Sequence, residues 1–176
     1  MKFRSLIFLL IISLCGVLLP RDFDHRDIPI HENGRIKPLD TFVRNQLLVI
    51  YGKRSIKPKA LPEELNSKGL SAIDWFFDIA LNPEEGDKYS VFNISNPELV
   101  ASLGLYWDPG HLYNRREILS GLKNQFDYIA SIQGKPENEI TQFDIQLLKV
   151  YSNVIQYQAL SYSLSCLLPL IQINHK

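Results

Sequence analysis

The sequence predicts a mainly α domain with a small β element, preceded by an N-terminal membrane anchor or signal. Three observations carry that expectation. An apolar run follows Lys2 and Arg4 at the extreme N-terminus, one Asn-Gly turn separates two short alternating stretches, and several later segments repeat apolar residues at helical spacing. The 176 residues, 45% hydrophobic and 22% charged, suit one domain able to bury a modest core. Lys+Arg and Asp+Glu number 19 each, so the formal net charge is zero. Nothing announces the basic field that nucleic acid calls for, and no nucleic-acid partner is expected.

Residues 1–20 carry Lys2 and Arg4 ahead of an apolar run from Ser5 to Leu19, the n-region and h-region of an export signal. A bilayer-spanning helix needs about 20 apolar residues, and Phe3 and Pro20 extend the run toward that length. No small-x-small cleavage site follows, since Gly16 leads into Val-Leu-Leu-Pro. The preferred reading is an uncleaved signal anchor, with the positive end cytoplasmic and the rest outside. The alternatives are a cleaved signal and a lipoprotein attached through Cys15, where Leu14 occupies a position that should be small. The expected location is the cytoplasmic membrane, with the domain facing the periplasm.

Residues 21–27, RDFDHRD, read as a juxtamembrane linker, and residues 28–176 as one helical extracytoplasmic domain. In IPIHENGRIKP, Ile28, Ile30 and Ile36 alternate about Asn33-Gly34, the pair that favours φ > 0 at a tight hairpin turn. Pro38 suits the first turn of a helix, and Asp40 and Thr41 are acceptors for its exposed N–H groups. Phe42, Val43, Leu47, Ile50 and Tyr51 form its apolar stripe, and Gly52 ends it. KRSIKPKALPEELNSKG reads as a polar loop. Ser71 can cap a helix in AIDWFFDIALN that Pro83 stops, and KYSVFNI reads as a short strand. Ser95 or Asn96 caps a small helix with Pro97 at its start, ending near Gly104, and YWDPGH is a turn. One longer helix is expected from about Asn114 to Gln133, with Ile118, Leu122, Phe126, Ile129 and Ile132 on one face. Thr141 or a neighbour starts the last helix, in which Leu147, Tyr151, Val154 and Leu160 recur. Its apolar end, ALSYSLSCLLPLIQI, is interrupted by serines and Pro169.

Chemistry is sparse. The two cysteines, Cys15 and Cys166, form no CxxC or CxxCH, so neither a redox pair, a cysteine zinc site nor a covalent c-type haem is expected. The four histidines, His25, His31, His111 and His175, show no HxxxH or HExxH spacing, and no metal site is expected. His111 follows Asp108-Pro109-Gly110 in a loop and is a candidate ligand-binding residue. Glu63 with Glu64 and Glu84 with Glu85 each follow a proline, where acids favour a helix's positive end. No GxSxG elbow, GxGxxG loop or P-loop occurs, and the chain is not expected to be an enzyme. Trp75, Phe76 and Phe77 point about 100° apart on a helix, so core packing has to compete with exposure of part of the cluster to a partner or membrane surface.

IPIHENGRIKPLDTFVRNQL, followed by GKRSI and SAIDWFFDIALNPEE, resembles the periplasmic segment of CcsA/ResC-type bacterial cytochrome c biogenesis proteins, which are often fused to a ResB-like half. The matching positions are Ile28, Pro29, Gly34, Arg35, Lys37, Pro38, Leu39, Asp40, Thr41 and Arg44. Trp75, Pro83, VFNISNPELVASLGL and the closing LLPL are also similar. The likeness covers most of residues 28–170, and GRIKPLDT is its most specific part. The family handles haem at a tryptophan-rich WWD segment between membrane helices, flanked by histidines. This chain has only Trp75 and Trp107 and no multi-span region, so the family's haem ligands carry over to no residue here.

The resemblance therefore implies a non-catalytic, membrane-tethered accessory module of c-type cytochrome maturation (a system II-like haem delivery and assembly process). Its partner would be a multi-span WWD-bearing haem-handling protein or a ResB-like protein. Haem would enter only within that complex, with none bound by this chain alone. The alternative is an envelope lipoprotein or structural adaptor unrelated to haem. The docking candidates are Gly34, Arg35, Lys37, Pro38, Asp40, Thr41 and Arg44. Arg35 and Lys37 could form a salt-bridged cap with Asp40 and Thr41, or could meet a haem propionate or a partner's carboxylates.

Overall fold

A computed structural model describes residues 24–63 and 68–165. The anchor or signal expected in residues 1–20, Cys15, Cys166 and the apolar C-terminal stretch lie outside the described residues. Among the described residues no helix is long and apolar enough to cross a membrane. The fold is mainly helical with small sheets, and the chain divides into two compact units, one ending at Leu39 and the other beginning at Asp40.

The first unit is built on a hairpin. Strand β1 (Pro29–Glu32) pairs antiparallel with β2 (Arg35–Pro38), with Ile30 opposite Lys37 and Glu32 opposite Arg35. Asn33 and Gly34 turn the chain at φ 52° and 75°, both left-handed as the two-residue type I′ connection requires. A 3₁₀ turn at His25–Asp27 precedes the hairpin, with the Asp24 side chain accepting from the Arg26 N–H. Pro38 does not open the helix as expected. It ends β2 opposite Pro29, and because neither proline has an N–H the ladder has nothing further to donate there. The Leu39 N–H then donates to the Ile28 carbonyl at 2.8 Å.

The second unit is helical. Helix α1 (Leu39–Tyr51) buries Val43, Leu47, Ile50 and Tyr51 at its i, i+4, i+7 spacing. Gly52, at φ 77°, ends it, with its N–H on the Leu48 carbonyl at 3.0 Å. The stretch read as a polar loop carries structure of its own. Strand β3 (Ser55–Ile56) pairs with β4 (Leu70–Ser71), and a 3₁₀ turn occupies Pro58–Ala60. Ile56, Ala60 and Leu61 are buried. Gly69 is required at its position, because it sits at φ 73° and a Cβ there would lie 2.5 Å from the Ile56 carbonyl oxygen.

Helix α2 (Ala72–Leu81) starts at Ser71, whose side chain accepts from the Asp74 N–H. Trp75 and Phe76 are both buried, as are Ala72, Ile73, Ile79 and Ala80, while Phe77 is half-buried. Core packing thus accounts for most of the aromatic cluster. A helix apolar around most of its circumference belongs inside. Helix α3 (Pro83–Gly86) follows directly. The KYSVFNI strand contracts to β5 (Phe92–Asn93), which pairs with β6 (Leu112–Tyr113). Helix α4 (Pro97–Ser102) is capped by Asn96.

The single helix expected over Asn114–Gln133 is two helices. Helix α5 (Arg115–Lys123) opens with an Asn114/Glu117 capping box, and α6 is Phe126–Gln133. Between them Asn124 and Gln125 make tight i→i−3 bonds to Gly121 and Leu122, and Gln125 Nε2 donates to the Ser102 carbonyl at 2.9 Å. The break shifts the helical phase, so Ile118, Leu122, Ile129 and Ile132 are buried while Phe126 is 47% exposed. Helix α7 (Gln142–Tyr162) opens with a Thr141/Asp144 capping box. It packs most closely on α2, and also on α4, α5 and α6, burying Leu147, Val150, Val154, Tyr157 and Leu160, while Tyr151 is half-buried. Each such side chain contributes about 1.5–3 kcal/mol of transfer free energy.

Candidate functional site

The docking candidates are mostly on the surface. Gly34, Arg35, Pro38, Thr41 and Arg44 are exposed, and Lys37 and Asp40 are half-buried. Ile36, between the two cations, is 75% exposed. Lys37 Nζ pairs with Glu32 on the neighbouring strand. Arg35 makes no ion pair among the described residues, so its fork is left to solvent or to a partner. In α1 the Asp40 carboxylate takes Arg44 Nε at 2.7 Å, an i,i+4 pair. That hydrogen bond, and then the charge of Asp40, raise the guanidinium's pKa.

Lys37 is thus paired with Glu32 across the hairpin, and Asp40 with Arg44 one turn along α1. The two halves of the string are a hairpin edge whose Arg35 has no ion pair among the described residues and a helix start with an internal ion pair.

His111 sits in a built loop. Its N–H donates to the Asp108 carbonyl at 2.9 Å, Asp108 Oδ2 accepts from the Leu112 N–H at 3.0 Å, and the Asp108 N–H donates to the Tyr113 hydroxyl at 3.2 Å. The turn places His111 at φ 56°, uncommon for a residue with a Cβ, and sets its ring edge-on to Trp107 with centroids 4.7 Å apart. Beside it Tyr106, Trp107, Leu112, Tyr113 and Glu117 line a groove of about 600 Å³. Tyr106 is 95% exposed. Among the described residues no three His, Cys, Asp or Glu side chains gather as a metal cluster.

Glu85 pairs with Lys88 at 2.7 Å, Glu84 and Glu63 are exposed, and Glu64 lies outside the described residues. Burial pushes the Asp78 carboxyl up, opposed by a hydrogen bond from Tyr89 at 2.9 Å.

Sequence reading missed one cluster altogether. Asp87 Oδ2 meets Arg115 at 2.7 Å, with both side chains largely buried, and the guanidinium lies 5.9 Å from the centre of the Tyr157 ring. Burial, then the charge of Asp87, push the Tyr157 phenol well above its ordinary range. The pair joins the end of α3 to the start of α5 against α7. Its geometry is that of a clamp, since truncating one partner would strand the other charge. Spacing could not have announced it, because nothing near Asp87 or Arg115 marks them for burial.

No family model matches the chain, and no curated protein or solved structure is similar enough to count as a match.

Proposed function

We propose that the chain is a non-catalytic, membrane-tethered accessory of c-type cytochrome maturation, acting outside the cytoplasmic membrane beside a multi-span WWD-bearing haem-handling protein or a ResB-like protein. The observation that supports it is where the family-like string spends its side chains. A string of this kind serving only the core would be buried. Here Gly34, Arg35 and Pro38 are exposed and Ile36 is 75% exposed. A hairpin edge showing a guanidinium with no ion pair among the described residues, beside an exposed isoleucine, offers a partner both a carboxylate contact and apolar area. Haem then belongs to the complex, with this chain supplying the contact that holds the complex together.

The test follows from the pairing. Arg35→Glu and Ile36→Ser change exposed side chains, so each should alter stability by less than about 0.5 kcal/mol. Lys37→Ala is a poorer probe because it also breaks the ion pair with Glu32. Cells carrying the Arg35→Glu/Ile36→Ser double variant should show lower haem-stained cytochrome c, with the melting of the purified protein unchanged. Normal cytochrome levels in those cells would remove the reading.

A further inference from the structure

We infer that the pocket between β5, the start of α4 and α7 is a binding site for a carboxylate group. It encloses about 160 Å³ and is lined by Asn93, Ile94, Ser95, Asn96, Leu99, Gln146, Lys149, Val150 and Asn153. Ile94, Leu99 and Val150 are buried and form its floor, while Asn93, Ser95 and Lys149 are exposed and set its mouth. A cavity near 150 Å³ accommodates a ligand of about six heavy atoms, so the volume suits a short carboxylic acid or the end of an acidic side chain.

Asn153 carries the inference. It is only 8% exposed, yet its side-chain amide makes no hydrogen bond to any described residue. The amide lies in the wall of the pocket, where its donors and acceptor are open to an incoming ligand.

The orientation of the neighbouring amides says which ligand. Asn96 Oδ1 accepts from the Glu98 N–H at 2.9 Å, which fixes the flip of that amide. Its Nδ2 must therefore be the atom that donates to Gln146 Oε1 at 2.7 Å. That bond in turn occupies the Gln146 acceptor and leaves its Nε2 hydrogens free. Lys149 adds an ammonium with no ion pair among the described residues, and no acid lines the pocket. The unspent groups are weighted toward donors and carry one positive charge, the complement of a carboxylate and a poor match for a cation. This inference stands independently of the hairpin docking surface.

The experiment uses the full chain, ¹⁵N-labelled, with side-chain amide resonances followed during titration. The probes are sodium propionate, sodium succinate, a short alanine peptide carrying one internal glutamate with blocked termini, and propionamide as the neutral control. A carboxylate site should give saturable shifts of the Asn153 and Gln146 side-chain amides with the acids or the peptide, and none with propionamide. Asn153→Asp, nearly isosteric but anionic, should abolish them. Lys149→Gln should weaken binding about tenfold, with a melting curve like that of the parent. Response to the free acids identifies a small molecule as the ligand, whereas response to the peptide alone identifies a partner's acidic side chain; both support the site. Equal shifts with propionamide, shifts that survive Asn153→Asp, or no saturable shift with any probe would overturn it.

Discussion

Asp144 is a fully buried carboxylate that stays ionised because it serves three partners at once. Tyr128 donates to it at 2.5 Å, the Thr141 N–H at 3.0 Å and Lys135 at 3.2 Å. The Tyr128 hydrogen bond first, and the Thr141 backbone bond second, hold its pKa well below the ordinary carboxylate range. The sign is that of a depressed acid. Its stabilisation is fully present above about pH 4, where an unfolded aspartate ionises, and is lost as pH falls through the lower folded value. A urea series against pH should therefore show the parent losing stability below pH 4 more steeply than Asp144→Asn, with the two curves converging in acid. Thr141→Ala, which removes the reciprocal cap, should cost about 1 kcal/mol at neutral pH. This residue was legible only as a helix start. Its contacts with Tyr128 and Lys135 come from the neighbouring α6 and its following turn, and no local pattern encodes them.

At the scale of elements, four helix starts were readable because each carries its own chemistry. Ser71, Asn96, Asn114 and Thr141 each accept from a backbone N–H of the turn that follows. The hairpin was readable for the same reason, since Asn33-Gly34 sets φ locally. The α5–α6 break was not, because Asn124 and Gln125 contain neither glycine nor proline and the apolar spacing runs across them. Nor were β3–β4 and β5–β6, two-residue pairs whose partners lie far apart in sequence. The carboxylate pocket was hidden likewise, its residues coming from β5, α4 and α7.

Helix α5 also meets close tertiary contact at Gly121, where a Cβ would stand 2.2 Å from the Leu103 carbonyl oxygen. Gly121→Ala sets two effects against each other. Helix propensity favours alanine by about 1 kcal/mol, while forcing a carbon into backbone contact costs typically 1–3 kcal/mol. The clash should win, because the obstacle is a backbone carbonyl. A lower urea midpoint is expected for Gly121→Ala, with Ser120→Ala on the exposed neighbouring position close to the parent. An unchanged midpoint would mean that α4 can draw away from α5 at little cost.

For the molecule as a whole, the predicted class of a mainly helical chain with a small β element is what the described residues form. The balance of charge, with Asp87 against Arg115 and Asp144 against Lys135, is spent largely on holding elements to one another. The part of the string most specific to the family resemblance contributes no comparable clamp in the hairpin, where Lys37 pairs with Glu32 and Arg35 makes no ion pair among the described residues. That contrast is why substitutions at Arg35 should separate activity in cells from stability in solution, whereas Asp87→Ala should lower both together.

The position of α7 also bears on how the chain is made. Helices α2, α4, α5 and α6 all rest on it, yet it follows them in sequence. As synthesis proceeds, these earlier segments emerge with apolar faces and no partner to cover them, and isolated helices of 6 to 10 residues are too short to persist in water on their own. The helical unit therefore cannot close until residues to about Tyr162 have left the ribosome. Until then the polypeptide is an open thread that chaperones can hold.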